Sequence, residues 1–224
     1  MNEITYQSVI MERAQGAKRW ERRKEARPGE LVAAALELFS NRGFAATRLE
    51  DVAAVAGVSK GTVYLYFESK EQLFEAVVRE AVAPNIDRAE ALVDGFEGST
   101  SELLRKLFEM FAAVPETPVT GVIKLMVTES GNFPQLARMY ADLVLRRALG
   151  LLRRILERGQ ARGEFRPCDP EATVPLIVAP MLLLALWKHS FGAHTDLHLD
   201  RRAVLEAHRE NLLRALAADP GGRS

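Results

Sequence analysis

The chain has 224 residues, with 30 Lys and Arg against 30 Asp and Glu and an apolar fraction of 48%. That length fits one large domain or a small head with a body, and the apolar share suffices for a packed core. Zero net charge excludes a globally basic nucleic-acid binder, so any such footprint has to be local. Residues 1–27 concentrate Arg13, Lys18, Arg19, Arg22, Arg23, Lys24 and Arg27. Two readings of this segment stand: an arm lying along phosphates or in a minor groove, or a solvated tail, since Glu12, Glu21 and Glu25 dilute the charge. Its longest apolar trio, Val9 to Met11, is no signal-peptide core. A helix is expected from Pro28, a residue suited to a first turn. Leu31, Ala35, Leu38 and Phe39 form its buried face, Gly43 ends it, and Phe44 folds back.

Thr47 to Phe67 is the stretch around which the rest is organised. Thr47 and Glu50 have the spacing of a capping box, which predicts a helix from about Arg48. Leu49, Val52, Ala53 and Ala56 share one face of it, and Gly57 ends it in the left-handed conformation. Val58 plugs the turn and Ser59 caps a second helix. There Val63 and Phe67 point inward, while Gly61, Thr62, Leu65 and Tyr66 turn outward. This reads as a helix-turn-helix for the major groove. Gly61 lets the helix start approach closely. Lys60 adds charge, and Thr62, Tyr64 and Tyr66 offer hydroxyls to phosphates or bases. Ser69 and Gln72 form another capping box, opening a helix through Leu73, Phe74, Val77 and Val78 that runs to about Ala83, where Pro84 kinks or ends it.

These residues, with Leu36-Glu37-Leu38-Phe39, Gly43-Phe44 and Ser69-Lys70-Glu71-Gln72-Leu73 around them, resemble the DNA-binding domain of TetR/AcrR-type transcriptional regulators. The resemblance covers residues 29 to 78. It implies an all-α homodimer with an N-terminal three-helix reading head and a C-terminal helical bundle that binds a small effector and dimerises. It also implies that Lys70 touches a phosphate. The expected DNA contacts are thus Thr47, Arg48, Ser59, Lys60, Gly61, Thr62, Tyr64, Tyr66 and Lys70. The expected division is a basic arm over 1–27, a DNA-binding domain over 28–83, an effector and dimerisation domain over 84–217, and a disordered tail over 218–224.

Beyond the head the chain reads as further helices: Asn85 to Val93 at least, a loop over Gly95 to Ser101, Glu102 to Val114, Val119 to Glu129, and a long helix from Pro134 to about Arg162. Arg146, Arg147, Arg153, Arg154 and Arg158 look like a second nucleic-acid patch but read better as a solvated face. Ala172 to Trp187 is the most apolar run. At sixteen residues it falls short of the roughly twenty a bilayer needs, and it is expected to be buried on nearly all sides. The last helix, Asp200 to about Ala217, aligns Val204, His208, Leu212 and Leu216 with Leu205 beside them. These two helices form the expected dimer interface, as in the family, through Leu183, Leu184, Trp187, Val204, Leu205, His208, Leu212 and Leu216.

The effector site is expected among large, adaptable side chains: Phe108, Phe111, Met126, Phe133, Met139, Tyr140, Met181, Trp187 and Phe191, with Glu129 and His189 as polar members. A closed, ligand-sized cavity separates a ligand-responsive repressor from a ligand-independent structural or partner-binding protein on the same fold. Three other signals are weaker. Gly57-Val58-Ser59-Lys60-Gly61 fits a hydrolase nucleophile elbow, but a helix and not a strand precedes the serine. His189, His194 and His198 lack a thiolate partner and a clear helical register, so no metal is expected. Cys168, the single cysteine, can form no intramolecular disulfide and gives no sign of an oxidising compartment. The expectation is a cytoplasmic, cofactor-free regulator, not an enzyme, that is released from a palindromic operator by a small apolar or amphipathic effector.

Overall fold

A computed structural model describes residues 28–113, 118–192 and 194–218, so the basic arm and all of the tail but Ala218 lie outside it. Among the described residues the chain is all helical, and the only β pairing is an isolated bridge between Phe165 and Ala217. The all-α expectation holds. Helix α1 spans 28–42 and ends where Gly43 takes a φ of 85°. Helices α2 (Leu49–Val55) and α3 (Lys60–Tyr66) follow, and then α4 (Lys70–Val77). Ser59 and Ser69 cap α3 and α4 by accepting from the backbone N–H of Thr62 and Gln72, each satisfying a donor that the helix start leaves open.

The cap of α2 differs from the expected one. The Asp51 carboxylate accepts the Arg48 N–H at 3.0 Å, so the box joins Asp51 to Arg48. Thr47 is buried, and its hydroxyl donates to the Gly43 carbonyl at 2.8 Å.

Pro84 neither ends nor sharply breaks the helix. A wide π-type turn, Val78–Val82, carries α4 into α5 (Ala83–Gly95). Asn85 Nδ2 donates to the carbonyls of Ala81 and Val82 at 3.2 and 3.3 Å, which supplies donors to acceptors next to the proline that lacks one. Then come α6 (Thr100–Ala113), α7 (Pro118–Glu129) and α8 (Pro134–Tyr140). The expected long helix is interrupted by a second wide turn, Ala141–Leu145, before α9 (Arg146–Ala161). Helix α10 (Pro170–Leu186) absorbs Pro175 and Pro180 and continues through a third wide turn, Trp187–Phe191. Helix α11 (Arg201–Leu216) is capped by Asp200.

Two apolar clusters hold these helices. The first is centred on Phe39, Phe44 and Phe74, whose rings lie 5.4 to 5.7 Å apart, and it extends from the head into α7 and α8 through Val122, Leu125, Leu136 and Tyr140. The second joins α5, α6, α9, α10 and α11 through Val93, Phe108, Ile155, Leu156, Ile177 and Leu212.

Charge reinforces the second cluster from outside. Arg147 binds Asp87 at 2.6 Å and Glu90 at 2.5 Å, Arg154 pairs with Asp94, Arg153 with Glu171, and Arg158 donates to the Gly98 carbonyl at 3.0 Å. The two carboxylates raise the Arg147 pKa above its ordinary value. These arginines clamp α9 to α5 and α10. The face is solvated as expected, with Arg153 and Arg154 about half exposed, and it is also bridged to its neighbours.

Candidate nucleic-acid interface

Gly57 makes the bend between α2 and α3 with a φ of 65°, a conformation that costs any residue with a Cβ. Val58 closes the turn by donating to the Ala53 carbonyl at 2.9 Å. Val63 and Phe67 enter the head core. At 100° per residue, the direction opposite their midpoint falls about on Leu65, with Gly61 and Thr62 to either side. Leu65 is 72% exposed and Gly61 lies open, so one face of α3 is presented outward on a rigid base.

The expected contact residues divide on this frame. Ser59, Lys60, Gly61, Tyr64 and Arg48 are exposed and Thr62 is half-buried beside them. The Ser59 and Thr62 hydroxyls bond each other at 2.9 Å. Lys60 pairs with Glu50 across the turn and lies 5.6 Å from the Tyr64 ring centre. The hydrogen-bonded ion pair raises the Lys60 pKa and lowers that of Glu50. Tyr66 is half-buried and packs against the head core. Thr47 leaves the set because it is buried.

Lys70 also differs from the expected phosphate contact. Its ammonium donates to the Phe44 carbonyl at 2.7 Å and lies 4.3 Å from the Phe44 ring centre. Burial lowers its pKa. It ties the start of α4 to the turn after α1, a role that no local pattern signals.

The expected effector residues do not meet in one place. Met126 and Tyr140 lie buried in the head-side cluster, with Phe133 and Met139 packed against it. Phe133 stacks edge-on against Phe44 at 4.9 Å. Burial pushes the Tyr140 hydroxyl up to about 12. Glu129 reaches toward Gly43 in the head. Phe108 belongs to the body core and meets the His208 ring edge at 5.5 Å. Trp187 and Phe191 pack together at 5.5 Å, with Phe191 54% exposed.

Only Phe111 and Met181 of the expected set line the cleft between α6, α7, α10 and α11, together with Thr120, Leu184, Ala185, Lys188 and Arg201. His189 stands behind it, 2.8 Å from the Thr120 hydroxyl. Arg201 donates to the Phe111 and Ala112 carbonyls at 2.8 and 2.7 Å. The cleft holds about 10 Å³ of free space, room for about one water. This cleft is therefore not a ligand-sized cavity. Helix α7 lies between this cleft and the head. A Cβ on Gly121 would come within 2.7 Å of the Ser40 side chain in α1.

The expected dimer row faces the wrong way. Leu205, Leu212 and Leu216 are buried within the chain, Leu184 lines the cleft, and Val204 is half-buried. His208 is half-buried with Nε2 3.0 Å from the Ile177 carbonyl. What remains outward is on α10, where Leu176 and Leu183 are 67% and 51% exposed and Trp187 is half-buried. The helical run Pro170–Phe191, at 22 residues, is longer than the sixteen expected and reaches membrane-spanning length and hydropathy. It packs on α7, α9 and α11 but is not buried on all sides, since Leu176 and Leu183 stay exposed.

Residues 31–77 match the model for bacterial regulatory proteins of the tetR family, and residues 97–204 match that for the tetracyclin repressor-like C-terminal domain. The HTH-type transcriptional regulator RutR of Escherichia coli K12 is 31% identical over 168 residues, 69% of this chain and 71% of RutR. The HTH-type transcriptional repressor KstR2 of Mycolicibacterium smegmatis is 29% identical over 154 residues, 63% of this chain and 69% of the relative. Among solved structures, a transcriptional regulator from Saccharomonospora viridis in complex with choline superposes with a TM-score of 0.72 at 20% identity, covering 86% of this chain and 98% of that one. FadR of Bacillus subtilis in complex with stearoyl-CoA gives 0.61 at 20% identity, covering 84% and 98%.

Proposed function

Since the chain belongs to the tetR family of bacterial regulatory proteins, whose members are DNA-binding transcriptional regulators and not enzymes, we propose that it is a cytoplasmic repressor. Two copies place α3 in successive major grooves of a palindromic operator, with half-sites roughly 34 to 36 Å apart, and a small effector releases them. The observation that carries this reading is the outward face of α3, set opposite Val63 and Phe67 on a fully packed head. Ser59, Lys60, Gly61, Thr62, Tyr64 and Arg48 make the contacts. The working division remains an arm over 1–27, a head over 28–83, an effector and dimerisation domain over 84–217 and a tail over 218–224. The dimer forms through the outward face of α10, around Leu183 and Trp187.

Release runs through α7. An effector that parts the cleft at Phe111, Thr120 and Met181 displaces a helix that also packs against α1 at Gly121 and Ser40. Affinity lost for DNA equals the effector's preference for the displaced state, of order 1 to 3 kcal/mol. The small free volume of the cleft favours a second reading, in which the protein binds DNA without an effector.

Selection of bound fragments from genomic DNA, repeated with candidate small molecules, tests both readings. Inverted repeats are expected, with lower recovery in the presence of the effector. Lys60→Ala is expected to weaken every site and reduce the salt slope by about one, and Thr62→Ala to change the preferred sequence as well. Unchanged binding in both variants overturns the assigned face. Recovery that no small molecule alters supports the effector-free reading.

A further inference from the structure

Leu65 is the most exposed large apolar side chain among the described residues, at 72%. It stands at the centre of the outward face of α3 and not at its rim. An isolated exposed leucine needs no explanation on an ordinary surface. On a helix that enters a groove it does, because it will be buried against whatever lies on the groove floor.

Its neighbours narrow the choice. Gly61, one turn earlier, has no side chain, so the helix start can approach closely and bring Leu65 down to the base edges. Thr62 and Ser59 hold each other's hydroxyls, and Lys60 and Tyr64 lie toward the other flank of α3. The centre of the face thus offers an aliphatic group with no donor or acceptor. In the major groove the amino, carbonyl and ring-nitrogen edges all seek hydrogen bonds, and the one apolar group that projects into it is the thymine 5-methyl group. A leucine against a polar edge strands that group without water, an outcome that costs free energy.

We propose that Leu65 is a specificity residue that reads the 5-methyl group of one thymine in each operator half-site. The inference rests on α3 being the DNA-reading helix.

The test uses the full-length protein and an operator recovered by selection, in which each thymine of the half-site is replaced in turn by deoxyuridine. That change removes one methyl group and leaves every hydrogen-bonding edge intact. Wild type is expected to lose about fourfold in affinity at one position per half-site, the worth of one buried carbon. Leu65→Ala is expected to bind the thymine and uracil operators equally, with an unchanged salt slope. Its side chain lies outside the core, so its melting temperature is expected to match wild type.

No position at which uracil weakens wild type, or equal sensitivity in Leu65→Ala, overturns the inference. Lys60→Ala and Thr62→Ala keep the two levels apart. If these lose affinity while the uracil series is flat, only the role of Leu65 falls. If they bind as wild type, or no operator is recovered, the assignment of α3 falls and this inference with it.

Discussion

The core around Phe39, Phe44 and Phe74 crosses from the head into α7 and α8, whereas the core around Phe108, Ile155 and Leu156 stays within α5, α6 and α9 to α11. The first has three packed phenylalanine rings at its centre and is closed by a lysine capping backbone carbonyls. The second is mostly aliphatic and clamped from outside by arginines. The boundary between cores therefore does not follow the boundary between motifs. A reading head that shares its interior with two body helices cannot tilt alone. Movement starting at the cleft has to pass through α7, whose two sides face the cleft and α1.

The largest expected effect comes from breaking the first core at its centre. Phe74→Ala removes a fully buried ring that touches Phe39 and Phe44 and is expected to cost about 3 to 5 kcal/mol. Denaturant titration measures it, and α7 and α8 should unfold together with the head. A transition that leaves α7 and α8 at wild-type stability would separate what the structure joins.

A middle effect is expected at the contact between α7 and α1. Gly121→Ala places a methyl group against Ser40, an overpacking worth about 1 to 3 kcal/mol. Ser40→Gly should cost less in the Gly121→Ala chain than in wild type, because there it also removes the opposing Cβ. A double-mutant cycle with no coupling would show that the two helices do not bear on each other.

The smallest effect tests the other core. Arg147→Ala removes pairs with Asp87 and Glu90 that are a third or more exposed on the arginine side. The loss should be at most about 1 kcal/mol and should shrink with salt. Operator affinity should stay at the wild-type value. A clear drop in DNA binding would revive α9 as a nucleic-acid surface.

The sequence was legible where structure is set by neighbours in the chain. Gly57 with its positive φ, the Ser59 and Ser69 caps, and the inward pair Val63 and Phe67 all follow from spacing within a few residues. Even locally, competition matters: Asp51 and not Glu50 takes the cap, while Glu50 pairs with Lys60 and the Thr47 hydroxyl donates to Gly43. Legibility ended where partners are distant in sequence. The regular spacing of Leu205, Leu212 and Leu216 marks a buried stripe, but spacing alone cannot say whether this chain or another covers it. Phe133, Met139 and Tyr140 have the residue types of a ligand site and pack against the head. Thr120, Lys188 and Arg201 carried no local signal for the cleft they line. Spacing alone puts Leu65 on the outward face of α3, but an aliphatic side chain carries no hydrogen-bonding signal of a DNA contact.

Native-state hydrogen exchange across a series of low denaturant concentrations tests the shared core most directly. The account predicts that amides of α4, α7 and α8 converge on one opening free energy, distinct from that of α6, α9 and α11. Convergence of α7 and α8 with α9 and α11 instead, with the head opening separately, would contradict it.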